Sequence, residues 1–204
     1  MTGALKLNLK STEQQLIQDF LVELSAVRFS KHCSAMKFNA KDVEKHEGSG
    51  ILGEEMCLIL LWGENCSLSF KTHYDVNVAR ALAASALNMT EESVTPQMAK
   101  AYMHEFNNLV AGYFRGALEE NNVLFGMSLP ISLPGKDENL FQRIRQDKTF
   151  AQRWTLTNDQ KKNVICSCEI QLHGPGFFSD IKDKLWQELN ADKDKDETGD
   201  IEFF

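Results

Sequence analysis

Long hydrophobic runs are missing from this 204-residue chain. The longest, at 56–62, falls far short of the roughly 20 residues that a bilayer span needs, and the polar N-terminal residues hold no signal-peptide core. The expected compartment is the cytoplasm, with no membrane among the partners. An excess of positive charge is missing too. The net charge is -7, the pI is about 5.3 and the Lys and Arg residues are scattered, so no field draws the chain towards a phosphate backbone and nucleic acid is not an expected partner. Cysteines number 5, an odd count with no CxxC pair, which argues against the usual zinc and thioredoxin-type spacings. Cys33, Cys57, Cys66, Cys166 and Cys168 read as reduced, mostly buried thiols. With only 4 prolines and 12 glycines, collagen-like and low-complexity readings fail as well.

What is present is ordinary globular material, 43% hydrophobic and 25% charged, in a length that suits one domain or two tightly fused repeats. Ser11 and Thr12 with Gln14 and Gln15 offer a capping box. Leu16, Ile17, Phe20, Leu21, Leu24 and Val27 follow at helical spacing, which predicts a first helix over 12–33. Met36, Phe38 and Ala40 alternate as in a half-buried strand, and a charged, Gly-rich stretch leads to 53. The apolar run at 56–62, the turn residues Gly63, Glu64 and Asn65, and the alternating Leu68, Phe70 and Thr72 form a hairpin at the middle of a sheet. Asp75 can cap a helix with a small-residue stripe of Ala79, Leu82, Ala83, Ala86 and Leu87 that ends near Met89.

Thr95 before Pro96 is a cap with proline at the first helical position, and the pattern runs to about Glu119. Residues 123–133 read as a strand that Pro130 and Pro134 confine to an edge or a bulge. A polar excursion at 137–147 is a candidate short helix. Phe150, Trp154 and Leu156, then Val164, Cys166, Cys168, Ile170 and Leu172, form a second hairpin. Ser179 can cap a last helix carrying Ile181, Leu185, Trp186 and Leu189. The reading is an α+β domain over 1–190, its helices packed on a mainly antiparallel sheet in two helix-plus-strands units. An acidic tail over 191–204 is expected to be disordered.

On the long helix, Met98, Tyr102, Phe106, Leu109 and Tyr113 gather on one face, the expected buried one. Ala101, Glu105, Asn108 and Gly112 form a separate stripe, where a carboxylate and an amide point outward between small residues that let a partner approach closely. His104 and Arg115 flank it. ExxN alone is weak, since Glu119 and Asn122 repeat it. His32, His46, His73 and His173 share no metal-ligand spacing with each other or with the cysteines, and no Gly-rich phosphate loop or obvious nucleophile is present.

Taken in order, the WG turn at 62–63, the alternating strand, the Ala-rich helix, HEFNNLVAGYF at 104–114 and SLPISLPG at 128–135 resemble the CheX and CheC chemotaxis phosphatases, most of all CheX. The resemblance implies the CheC-like fold and hydrolysis of the aspartyl phosphate of a CheY-like receiver domain. It implies Glu105 and Asn108 as the catalytic pair, the amide positioning water and the carboxylate engaging the receiver. It also implies a homodimer formed through sheet edges, with alternating strands such as 164–172 in need of edge protection. No cofactor of the chain's own and no metal site are expected, because the phosphorylated receiver would supply Mg²⁺. The first helix has Glu23 followed by Ala26 at the matching interval, so no second site is expected there. The alternative is a non-catalytic receiver-binding or scaffold module of the same fold. Phe203 and Phe204 either dock on the chain's own domain or a dimer mate, or form a tethered peptide that binds the receiver.

Overall fold

The computed structural model describes residues 2–33, 36–45, 50–144 and 149–193, with side chains for all of these except 2–11, 142 and 144. Among the described residues, five α-helices pack with one antiparallel sheet of seven strands: α1 Thr2–His32, β1 Asn39–Lys45, β2 Glu55–Gly63, β3 Cys66–Tyr74, α2 Val76–Ala86, α3 Pro96–Glu119, β4 Phe125–Met127, β5 Ile131–Pro134, α4 Glu138–Ile144, β6 Phe150–Thr157, β7 Asn163–Leu172 and α5 Phe178–Lys193. The strand order is β1-β6-β7-β3-β2-β4, and β5 also pairs with β2. Both expected hairpins are present, with register pairs such as Ile59↔Phe70 and Trp154↔Cys166. The α+β reading, with helices on an antiparallel sheet, is what the chain forms.

The period-two pattern decides which side of the sheet is the core. Cys57, Ile59 and Leu61 on β2, Leu68 and Phe70 on β3, and Cys166, Cys168 and Ile170 on β7 all point to one face and are buried. The two long helices cover that face side by side. Helix α1 lies over the β1–β6–β7 half and α3 over the half made by β2, β3, β4 and β5. Phe106 of α3 meets Phe29 of α1 with ring centroids 4.4 Å apart and Phe70 at 6.2 Å. Each such fully buried ring contributes about 1.5–3 kcal/mol. Trp154 is buried and donates to Ser25 Oγ at 2.9 Å, which satisfies its one polar atom inside the core. All five cysteines are free and buried. Burial pushes Cys33, Cys57, Cys66 and Cys168 up to about 12, so these are inert packing residues.

Several expectations need correction. Helix α1 begins at Thr2, so Ser11 and Thr12 lie within the helix and do not cap it. The 123–133 segment is two strands: Ser128 closes a bulge on Leu60, its N–H donating to Leu60 O at 2.9 Å and its Oγ accepting from Leu60 N at 3.0 Å. Pro130 then separates β4 from β5. Strand β7 is held on both sides, by β3 and β6, so 164–172 needs no edge protection. The outer strands are β1 on one side and β4 with β5 on the other.

Helix α5 starts at Phe178 and is capped from a distance: the Glu13 carboxylate on α1 accepts the N–H groups of Phe177, Phe178 and Ser179, the role expected of Ser179. This helix reaches Lys193, past the expected start of the tail at 191, and residues 194–204 lie outside the described residues, as do His46 and the end of the 137–147 excursion. Among the described residues no helix is long and apolar enough to cross a membrane.

Candidate functional site

Helix α3 is set by its two ends. Thr95 Oγ1 accepts the N–H of Met98 at 3.2 Å and Pro96 occupies the first turn. At the other end the Val123 N–H bonds to Leu118 O while Asn122 adopts the left-handed conformation with φ 60°. That turn disposes of the second ExxN. Glu119 is the last helical residue and Asn122 stands beyond it, so the two do not share a helix face.

The buried face of α3 is turned from the one expected. Tyr102 and Phe106 are in it, but Met98, Leu109 and Tyr113 are half-buried at its border. Its centre is formed by Met103, Asn107, Val110 and Phe114. With a residue every 100° or so, this moves the Glu105–Asn108 stripe from the border of the apolar face to the side opposite it. Ala101 is exposed, Glu105, Asn108 and Gly112 are half-exposed, and a Cβ built on Gly112 would meet nothing within 4 Å.

The neighbouring asparagines therefore have different environments. Asn107 is fully buried: its Nδ2 donates to Cys57 O at 3.0 Å, and its Oδ1 accepts from Thr72 Oγ1, tying α3 to β2 and β3. Asn108 faces out. From Lys100 to Glu119 the polar side chains of α3 are otherwise engaged: Lys100 with Glu55 at 3.0 Å, Tyr102 with Cys33 Sγ, His104 Nε2 with Ser132 Oγ at 2.6 Å, Tyr113 under the Arg28 guanidinium, Arg115 with Glu119 at 3.4 Å. Among the described residues, Glu105 and Asn108 alone in that stretch have no hydrogen bond or ion pair.

His104 is not a solvated surface histidine. Its bond to Ser132 on β5 ties the helix turn that carries Glu105 to the SLPISLPG segment. Burial, then the nearby Lys100 ammonium, lowers its pKa, so it is neutral near pH 7 and unsuited to acting as a cation there. Among the described residues no group of three His, Cys, Asp or Glu could hold a metal ion. The arrangement can present an unpaired amide and an unpaired carboxylate, one helical turn apart on a convex surface, to another macromolecule.

Sequence reasoning missed a buried charge cluster on the sheet face away from α1 and α3. Lys71 Nζ lies 3.0 Å from Glu138 Oε2 and 2.9 Å from Glu169 Oε1, with the Phe141 ring 4.5 Å away, and this fastens α4 to that face. Lys71 follows Phe70 in an alternating strand, and a lysine pointing away from the core reads as solvated until the covering helix is known.

No family model matches the sequence, and no curated protein sequence matches it. Solved structures do. A CheC-like superfamily protein from Shewanella sp. PV-4 superposes with a TM-score of 0.60 at 16% identity, over 76% of this chain and 97% of that one. A chain of the CheX–CheY–BeF3–Mg²⁺ complex from Borrelia burgdorferi gives 0.59 at 18% identity, over 76% and 97%. This is the CheC/CheX fold. Thermotoga maritima FliY shares it at a TM-score of 0.51 and 12% identity, over 89% of this chain and 97% of that one. The fold resemblance read from the 60–135 segments therefore extends over about three quarters of the chain.

Proposed function

We propose that this chain is a phosphatase acting on the aspartyl phosphate of a CheY-like receiver in chemotaxis or a related two-component pathway, with Glu105 and Asn108 as the site. The observation that carries the reading is the pair itself: Glu105 and Asn108, the two polar side chains between Lys100 and Glu119 that have no hydrogen bond or ion pair among the described residues, lie on the outward side of α3, in the positions that the CheX resemblance assigns. The Borrelia neighbour is a complex with CheY, BeF3 and Mg²⁺, which supports a receiver as the partner.

An aspartyl phosphate is a labile acyl phosphate, so the catalyst needs mainly to orient water. Water attacks phosphorus in line, the bond from phosphorus to the Asp oxygen breaks, the Asp carboxylate leaves with the bonding pair, and the water's surplus proton ends on inorganic phosphate or solvent. Asn108 suits the orienting role because a neutral amide both donates and accepts without repelling phosphoryl oxygens. Glu105 cannot face those oxygens without repulsion. A receiver lysine or arginine is its fitting contact, and a charge-assisted bond there would set the docking register. Mg²⁺ held by the receiver would neutralise phosphoryl charge.

The test uses receivers prephosphorylated with a small donor and follows phosphate release with and without the protein. Accelerated release supports the proposal. Binding without acceleration would favour the non-catalytic receiver-binding or scaffold module of the same fold.

A further inference from the structure

Helices α1 and α3 occupy equivalent places, each lying on the inner face over one half of the sheet. On α1 the interval that separates Glu105 from Asn108 runs from Glu23 to Ala26, so a methyl group stands where the amide would be. Glu23 is engaged as well, its Oε1 2.5 Å from Lys193 Nζ. Beside it a groove runs between α1 and the start of β1. Its floor is apolar, made by Val22, Ala26, Val27 and Phe38. Lys31 and the exposed Lys37 stand on its rim. Lys193, the last described residue of α5, lines its mouth.

We propose that the groove between α1 and β1 is the docking site of this chain's own residues 194–204. Position is the first argument. The chain passes Lys193 at the groove's mouth, and the 11 residues that follow can reach on the order of 35 Å when extended, ample to return along it. Charge is the second. Those residues carry Asp194, Asp196, Glu197, Asp200 and Glu202 against the single Lys195, while the charged residues lining the groove are Lys31, Lys37 and Lys193 against the single Glu23. Lys31 already binds Asp192 at 3.0 Å, so the acidic pattern begins inside the described structure and continues into the segment. Apolar match is the third: Ile201, Phe203 and Phe204 suit the floor formed by Val22, Ala26, Val27 and Phe38. The consequence is asymmetry. The outward surface of α1 is covered by the chain itself, and α3 alone is open to a partner. This assignment does not depend on the chemistry proposed at α3.

The test is isotope-edited NMR on the full chain, reading nuclear Overhauser contacts from the Phe203 and Phe204 rings to the Val22 and Val27 methyls. The expected result is contacts within one molecule that are lost in Phe203→Ala/Phe204→Ala, with shifts at Ala26, Ser30 and Ala40, and that are weakened in Lys37→Glu. Three results would overturn the proposal. They are rings with no contact to the groove, contacts seen only between differently labelled molecules, which would place a second copy there, and contacts that form only with a phosphorylated receiver, which would make the segment a tether.

Discussion

Two adjacent asparagines on α3 separate structure from function one residue at a time. Asn107→Ala leaves Cys57 O and Thr72 Oγ1 buried without their partner, and roughly 1–3 kcal/mol is lost for each group so stranded. Chemical denaturation should show that loss. Glu105→Ala removes no internal contact and should leave the unfolding midpoint unchanged, while weakening receiver binding by about 1.5–3 kcal/mol in titration calorimetry if its partner is a cation. Equal affinity would remove Glu105 from the interface. His32 provides a pH signature. It is buried, stacked on Tyr102 at 4.0 Å, and burial lowers its pKa from 6.5 to about 4 despite the Tyr102 carbonyl. Below pH 6.5 the unfolded chain takes up a proton that the fold refuses. The His32 contribution is therefore fully present above pH 6.5, falls as the pH drops to about 4, and amounts to roughly 3 kcal/mol. Unfolding free energies at pH 7 and pH 4.5 should differ less in His32→Gln than in the wild type, and an equal difference would contradict this.

Among the elements, α5 is the one whose placement depends most on a distant residue. Glu13 supplies three acceptor contacts to the first N–H groups of α5, while Phe178 packs on Phe20 with centroids 5.6 Å apart. Glu13→Ala should cost about 0.5–2 kcal/mol as a lost cap and lower Tm by a few degrees in a chain of this size. Ser179→Ala should be neutral. Calorimetry that found the reverse would restore Ser179 as the cap. The contrast shows what was legible in the sequence and what was not. Helix α3 was readable to the residue because Thr95 and Pro96 act locally, and the hairpins were readable because alternation and turn residues are neighbours in the chain. The start of α1, the cap of α5 and the cluster around Lys71 depend on contacts across many residues, which no local pattern carries. The ExxN pair was legible as letters. The outward stripe of Glu105 and Asn108 was legible too; that it lies opposite the buried face and not at its border, with Asn107 at the centre of that face, needed Val110 and Phe114 packing on distant partners.

At the scale of the whole molecule, the sheet's free edges bear on assembly. Strand β1 has a register shift between Lys41 and Glu44, with Asp42 at φ 53°, and carries Lys41 and Lys45. On the other side Pro130 and Pro134 interrupt and end the strands beside β2. Lysines, bulges and prolines are devices that discourage edge pairing. The homodimer that the CheX resemblance implies therefore draws no support from these edges, nor from 164–172, which lies inside the sheet between β3 and β6. Sedimentation at micromolar concentration tests it: a dimer would support it, and a monomer would remove it. The two-helix layer has one further consequence: with the pair on α3 only, each chain should engage one receiver. The assignment of Asn108 to catalysis stands or falls on single-turnover phosphate release from a saturating phosphorylated receiver, comparing wild type with Asn108→Ala and measuring the affinity of both. Asn108→Ala should lose about 10²-fold or more of the catalysed rate, with receiver affinity kept and the Glu119→Ala and Asn122→Ala controls at the wild-type rate. An Asn108→Ala protein that releases phosphate as fast as the wild type would contradict it.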